Sequence, residues 1–407
     1  MEFQIPKLRT DLQITPGYSE GKRAVVIKDS LGLIQEPVIL EGEILSFLSF
    51  IDGKRSLRDI QYELIRLKQG VLISLDEVEK LIVRFDNAFL LESERYYREK
   101  ERIIAEYSLL DVRSASHAGL SYPDSAEKLT GYLDSILDSE EESSPVLDRK
   151  KIGALVSPHI DFEAGKRIYA KAYQVLKQSS PKEIILLGTG HSLNDCFFSV
   201  CEKDFETPLG RIKTNRDSVR KLKEAGGSAV SPNDIAHRTE HSLEFQLIFL
   251  QHLFGSDFSL VPILCGSFTK ELERVSKPSD ISEVNNFLEI LEYSLEDFRT
   301  KTIVVSGVDF SHIGPKFGHA EQASSLVYES EKHDKLLIKA LCERDVEAFW
   351  AESRRVLDRF NVCGFSTLAC LLEILPRSYG HLLDYEIWRE EPTQSAVSFA
   401  AIAFEAK

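Results

Sequence analysis

Ile152-Gly-Ala-Leu-Val-Ser-Pro-His-Ile-Asp161 decides how this chain is read. It is a short apolar run without alternation, closed by a proline and a histidine. Strands of a parallel sheet bury both faces and read this way, whereas half-exposed strands alternate. Two further runs repeat the pattern. Ile184 to Leu187 leads into Gly188-Thr-Gly-His191, and Thr302 to Val305 leads into Asp309-Phe-Ser-His312. Open α/β sheets carry their chemistry just beyond the carboxyl ends of the strands. The expected fold is α/β, a mostly parallel central sheet flanked by helices. His159, His191 and His312 are expected to gather at one sheet end as a metal or acid–base site. Cys363, in Asn361-Val-Cys-Gly364, is a candidate fourth member.

Composition narrows the function classes. The chain has 407 residues, enough for two or more domains, with 43% hydrophobic and 28% charged residues. A net charge of −15 argues against nucleic-acid or anionic-membrane partners, which need positive charge to displace counterions. No apolar run approaches the roughly 20 residues of a membrane span. The first residues lack the basic-then-apolar pattern of a signal peptide. Six cysteines (196, 201, 265, 342, 363 and 370) contain no Cys-x-x-Cys, so neither a zinc ribbon nor a disulfide framework is suggested. A reduced, cytoplasmic setting is expected.

Residues 1 to 105 read differently from 106 to 407. Ala24 to Lys28 is a strand candidate. Leu57, Ile60, Leu64 and Leu67 mark one face of a helix over Ser56 to Lys68. Ser74 opens a second helix, with Glu77 completing a capping box and Val78, Leu81, Ile82 and Phe85 as its apolar stripe. Phe89 to Leu91 is a further strand candidate. This pattern suggests a small winged-helix α+β domain. DNA binding is not expected of it: residues 1–100 carry 15 Lys/Arg against 17 Asp/Glu, and the second helix is acidic. The stretch Asp138-Ser-Glu-Glu-Glu-Ser-Ser-Pro145 reads as a solvated surface loop.

Two resemblances add to this reading. The segment Ile51-Asp-Gly-Lys-Arg-Ser-Leu-Arg-Asp-Ile60, with its helix and the Phe89-Leu-Leu91 ending, resembles PqqD-like peptide-recognition domains. That resemblance implies capture of a peptide by strand addition. From Arg113-Ser-Ala-Ser-His-Ala-Gly-Leu-Ser-Tyr-Pro123 onward the chain resembles the Memo family, protein B of the AmmeMemoRadiSam system. The resemblance continues through Ser157 to Asp161, Gly188 to His191, Glu206 to Gly210, Glu240 to Glu244, Val261-Pro262, Asp309 to His312 and Asn361 to Gly364. It implies a fold similar to LigB-like class III extradiol dioxygenases, and radical-SAM and AMMECR-type proteins as partners. It also implies His159, His191 and Cys363 as metal ligands, with Asp309, His312, His241 and Glu244 lining the cleft as candidate catalytic groups. Some members of the family carry two adjacent histidines where this chain has His191-Ser192, so a ligand there is His191. A second departure is Ile160-Asp161-Phe162, where Asp161 is an extra carboxylate expected to orient His159 or compete for its metal.

The residues themselves support such chemistry. Two imidazoles and one anionic ligand with open positions suit a non-haem oxygenase iron. The anion is Cys363 as thiolate, or a carboxylate from Glu244 or Asp309. A thiolate shifts preference toward Cu(I), Zn or an electron-rich iron, so one Fe or Cu ion is favoured and Zn stays open. His312 is read as a general acid–base with Asp309 holding its tautomer. Cys370 is expected in the core. His237-Arg-Thr-Glu-His241 spells an inverted zinc-peptidase motif, but Thr239 as N-cap would leave His237 outside the helix. The expected function is metal-dependent redox or oxygenase-type chemistry. A non-enzymatic peptide-binding adaptor and a zinc hydrolase are the alternatives.

Overall fold

The computed structural model describes residues 4–19, 22–140, 147–295 and 302–406. It divides into two compact units, Met1–Leu109 with Pro315–Gly318, and Leu110–Gly314 with His319–Lys407.

The first unit is α+β. Strands β1 (Leu12–Ser19), β2 (Lys22–Asp29) and β3 (Val38–Glu41) form an antiparallel sheet in that order. Helices α1 (Glu43–Leu48), α2 (Leu57–Leu67), α3 (Leu75–Asn87) and α4 (Glu94–Ser108) follow. Both expected helices start where their capping residues stand. Ser56 and Asp59 cap each other's backbone at α2, and Ser74 and Glu77 do so at α3. Ile60, Leu64, Val78, Ile82 and Phe85 are buried in one core with Phe47 and Ile27. Leu67, at the last turn of its stripe, is instead exposed. No strand forms at Phe89–Leu91: Phe89 turns the chain with a φ of 54°, and Leu91 makes a single bridge to Leu8. The chain then enters α4, whose charged sequence hides the buried stripe Tyr96, Ile103 and Tyr107.

The second unit is the α/β body. Its strands are β4 (Val112–Arg113), β5 (Ile152–Ser157), β6 (Glu183–Thr189), β7 (Phe198–Val200), β8 (Asp204–Thr207) and β9 (Gly210–Thr214). They continue as β10 (Ser259–Cys265), β11 (Thr302–Gly307), β12 (His312–Ile313), β13 (Ser378–Glu390) and β14 (Ser395–Ala406). Sheet order is β12-β14-β5-β11-β6-β10-β9-β8-β4, with β13 on β14 and β7 on β10. The centre, β5-β11-β6-β10, is parallel. The long hairpin of β13 and β14 lies antiparallel at one side. Every residue of β5 and β11 is buried, as their unalternating sequences require. The helices are α5 (Ala126–Leu137), α6 (Phe162–Gln174), α7 (Arg216–Gly226), α8 (His241–Phe254) and α9 (Ser282–Tyr293). They continue as α10 (Ala323–Glu343), α11 (Val346–Val356) and α12 (Phe365–Ile374). Of the acidic stretch at 138–145, residues 141–145 lie outside the described residues; Asp138 caps α5.

One feature of this order positions the site. The strands that precede His159, Asp309 and His191 are β5, β11 and β6, three neighbours in the sheet. Adjacent strands lie about 4.8 Å apart, so side chains just beyond their ends meet.

Candidate metal centre

His159 leaves β5 through Pro158, whose carbonyl accepts from the Gln246 side chain at 2.8 Å. Its Nδ1 faces the Gly307 carbonyl at 2.9 Å, at the end of β11. A carbonyl only accepts, so Nδ1 carries the proton and Nε2 keeps its lone pair. That Nε2 lies 3.4 Å from Cys363 Sγ. Cys363 is placed by the next residue, since Gly364 N–H donates to the Asp309 carbonyl at 3.0 Å. A Cβ on Gly364 would come within 2.6 Å of that oxygen.

His191 leaves β6 and meets the carboxylate of Glu240, which stands just before α8. Glu240 Oε1 lies 3.0 Å from His191 Nδ1 and 3.2 Å from His241 Nδ1. Its Oε2 accepts the His191 backbone N–H at 3.0 Å. The ring centroids of His159, His191 and His241 stand 5.0, 5.1 and 4.9 Å apart, a triangle of three imidazoles. His117 is a fourth, 5.7 Å from His241, with its Nε2 on the Thr239 carbonyl at 3.0 Å. It lies inside the quoted Arg113 to Pro123 stretch but carried no spacing signal of its own.

Asp309 lies against His159. Its Oδ1 accepts the backbone N–H groups of His159 and Ile160 at 3.0 and 3.3 Å, and Oδ2 lies 3.6 Å from His159 Nε2. His312, expected as its partner, turns Nδ1 to the Phe310 carbonyl at 3.0 Å. His312 still offers a ligand atom within 4.8 Å of Asp309 and Cys363. Asp161 caps α6, accepting from Glu163 N–H at 3.0 Å.

Glu244 stands apart from the cluster. It is fully buried, and its oxygens accept from Arg113, Tyr122 and Ser116, and from the His117 backbone N–H at 2.8 Å. No lone pair is left for a substrate or ion, because every face of the carboxylate meets a donor. Arg113, read from the sequence only as part of a resemblance, is what holds it there. Helix α8 is capped by Glu240 rather than Thr239, and His237 sits outside it in a separate 3₁₀ turn, buried. The peptidase geometry therefore does not form. Cys370 is core, as expected.

Electrostatics separate the members. Burial pushes Asp309 up to about 7, against two backbone donors. Burial, reinforced by His191 and His241, holds His159 well below the usual imidazole range. For His191 burial also opposes charge, but Glu240 outweighs it and the shift is upward. Burial alone would raise Glu240; His191, with His241, outweighs it and keeps the carboxyl well below its usual range. Burial drives the Cys363 thiol well above its ordinary value, which a bound cation would reverse.

The donor set fits an ion. His159, His191 and Cys363 offer ligand atoms that all lie within 4.8 Å of one another. Tetrahedral N and S ligands at 2.0–2.3 Å stand roughly 3.5 Å apart, so closure takes shifts of about 1 Å. Each imidazole has its other nitrogen tied to an acceptor, as metal-binding histidines do.

The fold and this centre define an α/β protein with a His/Cys cluster at the carboxyl ends of neighbouring parallel strands. The chain belongs to the family described as Memo-like protein, which it matches over residues 113–403. A MEMO1 family protein of Aquifex aeolicus is 30% identical over 93% of this chain and 95% of its own length. That share exceeds the α/β unit, so the relative also carries much of the first unit. A MEMO1 family protein of Thermus thermophilus is 28% identical over 84% of this chain and 97% of its own. One from Pyrococcus furiosus is 30% identical over 59% and 80%. No helix among the described residues is long and apolar enough to cross a membrane.

Proposed function

We propose that this protein is a metal-dependent enzyme of redox or oxygenase type, with one Fe or Cu ion held by His159, His191 and Cys363. The single observation that carries the reading is the convergence of His159 Nε2, His191 and Cys363 Sγ, each imidazole anchored through Nδ1. A redox ion there would supply electron transfer to or from a chelating substrate, chemistry that zinc does not offer. The chain's own residues do the rest. His241 faces the same space with Nε2 free to hold or move a proton, and His312 lies beside the thiol on its other flank. Asp309 ties the His159 backbone in place.

The test is metal analysis of anaerobically purified protein, followed by separate reconstitution with Fe(II), Cu(I) and Zn(II). One ion per chain is expected, lost in His159→Ala and in Cys363→Ala. Absence of a stoichiometric ion in every arm overturns the reading.

The first unit carries a second role in this proposal, capture of a peptide, with radical-SAM and AMMECR-type proteins as cytoplasmic partners. It is supported by the resemblance of residues 51–60 and by the outer edge of β3, which pairs with no strand among the described residues. If peptide binding survives loss of His159, His191 and His312 and no ion binds, the protein is an adaptor rather than an enzyme.

A further inference from the structure

We infer that Glu240 is a positioning residue that locks His191 and His241 in one tautomer and aims both free nitrogens the same way. The inference rests on the metal reading only in calling His191 a ligand; the tautomer claim stands without it.

The argument starts from the carboxylate. Glu240 is 5% exposed and ends the loop before α8 with φ −74° and ψ 128°, the N-cap conformation. Its Oε1 accepts the Ser242 N–H at 3.0 Å, so the helix N-terminus stabilises the anion. The backbone N–H of His191 supplies a second main-chain donor at 3.0 Å. These two donors fix the carboxylate independently of any imidazole. An ionised carboxylate only accepts, so the Nδ1 atoms at 3.0 and 3.2 Å must both carry protons. Both lone pairs are then on Nε2. The two rings stack at 15° with centroids 4.9 Å apart and turn Nδ1 to the same carboxylate oxygen, so both Nε2 atoms lie on the side away from Glu240. One carboxylate thus orients a ligand from the end of β6 and a proton carrier from the start of α8.

A second-sphere partner of this kind typically changes metal affinity 10–100-fold when lost. Glu240→Asp is the discriminating variant. Aspartate still caps a helix, but it is one methylene shorter and no longer spans both rings. Nitrogen-15 imidazole spectra are recorded on metal-free protein at about pH 9, above the usual histidine range of about 6.5. In the unmodified protein His191 and His241 are expected as Nδ1–H tautomers. In Glu240→Asp at least one turns to the Nε2–H form that a free histidine side chain prefers, the melting temperature stays near that of the parent, and Zn(II) affinity falls 10–100-fold. An Nε2–H form of either ring in the parent protein overturns the inference, and that result needs no variant to fold. So does a folded Glu240→Asp with unchanged tautomers and affinity. Failure of the parent to bind any ion, with both Nδ1–H forms observed, sinks the metal reading alone.

Discussion

The candidate centre has two halves held by different means. His159 and Asp309 lie deep, 3% and 2% exposed, and their bonds run to main-chain atoms at the ends of β5 and β11. The His191 and His241 side chains are about 30% exposed, and one carboxylate from the start of α8 holds both. A half anchored on backbone tolerates side-chain changes around it but not changes in backbone spacing. A half anchored on one side chain depends on whatever fixes the helix that carries it. Mutations should therefore hurt the two halves through different routes.

The largest effect is expected from Gly307→Ala. Gly307 supplies the carbonyl that orients His159, and α8 packs directly on it. An added Cβ would come within 2.2 Å of the Ser242 carbonyl and 2.8 Å of Gln246 Nε2. Neither β11 nor the first turn of α8 can yield without opening the sheet end. The cost should exceed about 4 kcal/mol, the range where few single substitutions fall. Soluble yield and melting temperature check this. A Gly307→Ala protein with parental stability would show that α8 is loosely seated and that the deep half owes nothing to backbone spacing.

Glu244→Gln tests the outer half. Glu244 fixes α8 to the 113–122 segment through Arg113, Tyr122 and two backbone N–H groups. Removing the charge leaves Arg113 buried without its counterion, a loss of about 3–5 kcal/mol at neutral pH. The pH dependence has a definite sign. Burial pushes the Glu244 pKa up, but Arg113 and Tyr122 outweigh it and the net direction is down. Its stabilising contribution is therefore complete above the unfolded value of about 4.3 and disappears as pH falls through the lower folded value. Urea melts of parent and variant should differ most near neutrality and converge in acid. A gap that stays constant or widens in acid would rule out the charged pair as its origin.

These two positions also show what the sequence could reveal. The deep half was legible because buried parallel strands announce themselves, and His159 and Asp309 follow β5 and β11 at short range, as His191 of the outer half follows β6. The outer half was less so. Glu240 and Glu244 stand at the start of one helix, one as its N-cap and one in its first turn, and local sequence does not tell their partners apart. Which one meets imidazoles and which meets Arg113 depends on α8 packing against β6 and β11, a tertiary relation with no periodic signature. Placing the N-cap on Thr239, one residue early, hid Glu240 further, because a cap carboxylate points back toward the preceding strand ends. The same limit explains Asp309. Three residues of separation point to His312, and pairing of β11 with β5 brings His159 against the same carboxylate as well. In the first unit, two capping boxes fixed α2 and α3, while α4 was missed because Tyr96, Ile103 and Tyr107 are scattered among charges.

The arm that delivers Cys363 belongs to neither half, and there the expected effect is small and positive. Leu357, Asp358 and Asn361 have φ values of 50°, 53° and 49°, three left-handed residues within five. Left-handed backbone costs an L-residue roughly 1–2 kcal/mol relative to glycine. Asp358 and Asn361 return part of that: Asp358 accepts the Val362 N–H at 3.0 Å, and Asn361 donates to the His312 carbonyl at 3.2 Å. Leu357 ends α11 at the position where glycine is commonest, and its side chain is 60% exposed. Leu357→Gly should thus stabilise the protein by about 0.5–1 kcal/mol, after the extra freedom of glycine in the unfolded chain is subtracted. A rise of about 2 °C in melting temperature is the readout. Ion affinity should be unchanged, because Cys363 is set by the Gly364–Asp309 backbone bond rather than by strain upstream. A lower melting temperature would mean that the Leu357 side chain itself stabilises the turn. A higher one with weakened ion binding would mean that strain in the arm is what presses the thiol toward His159.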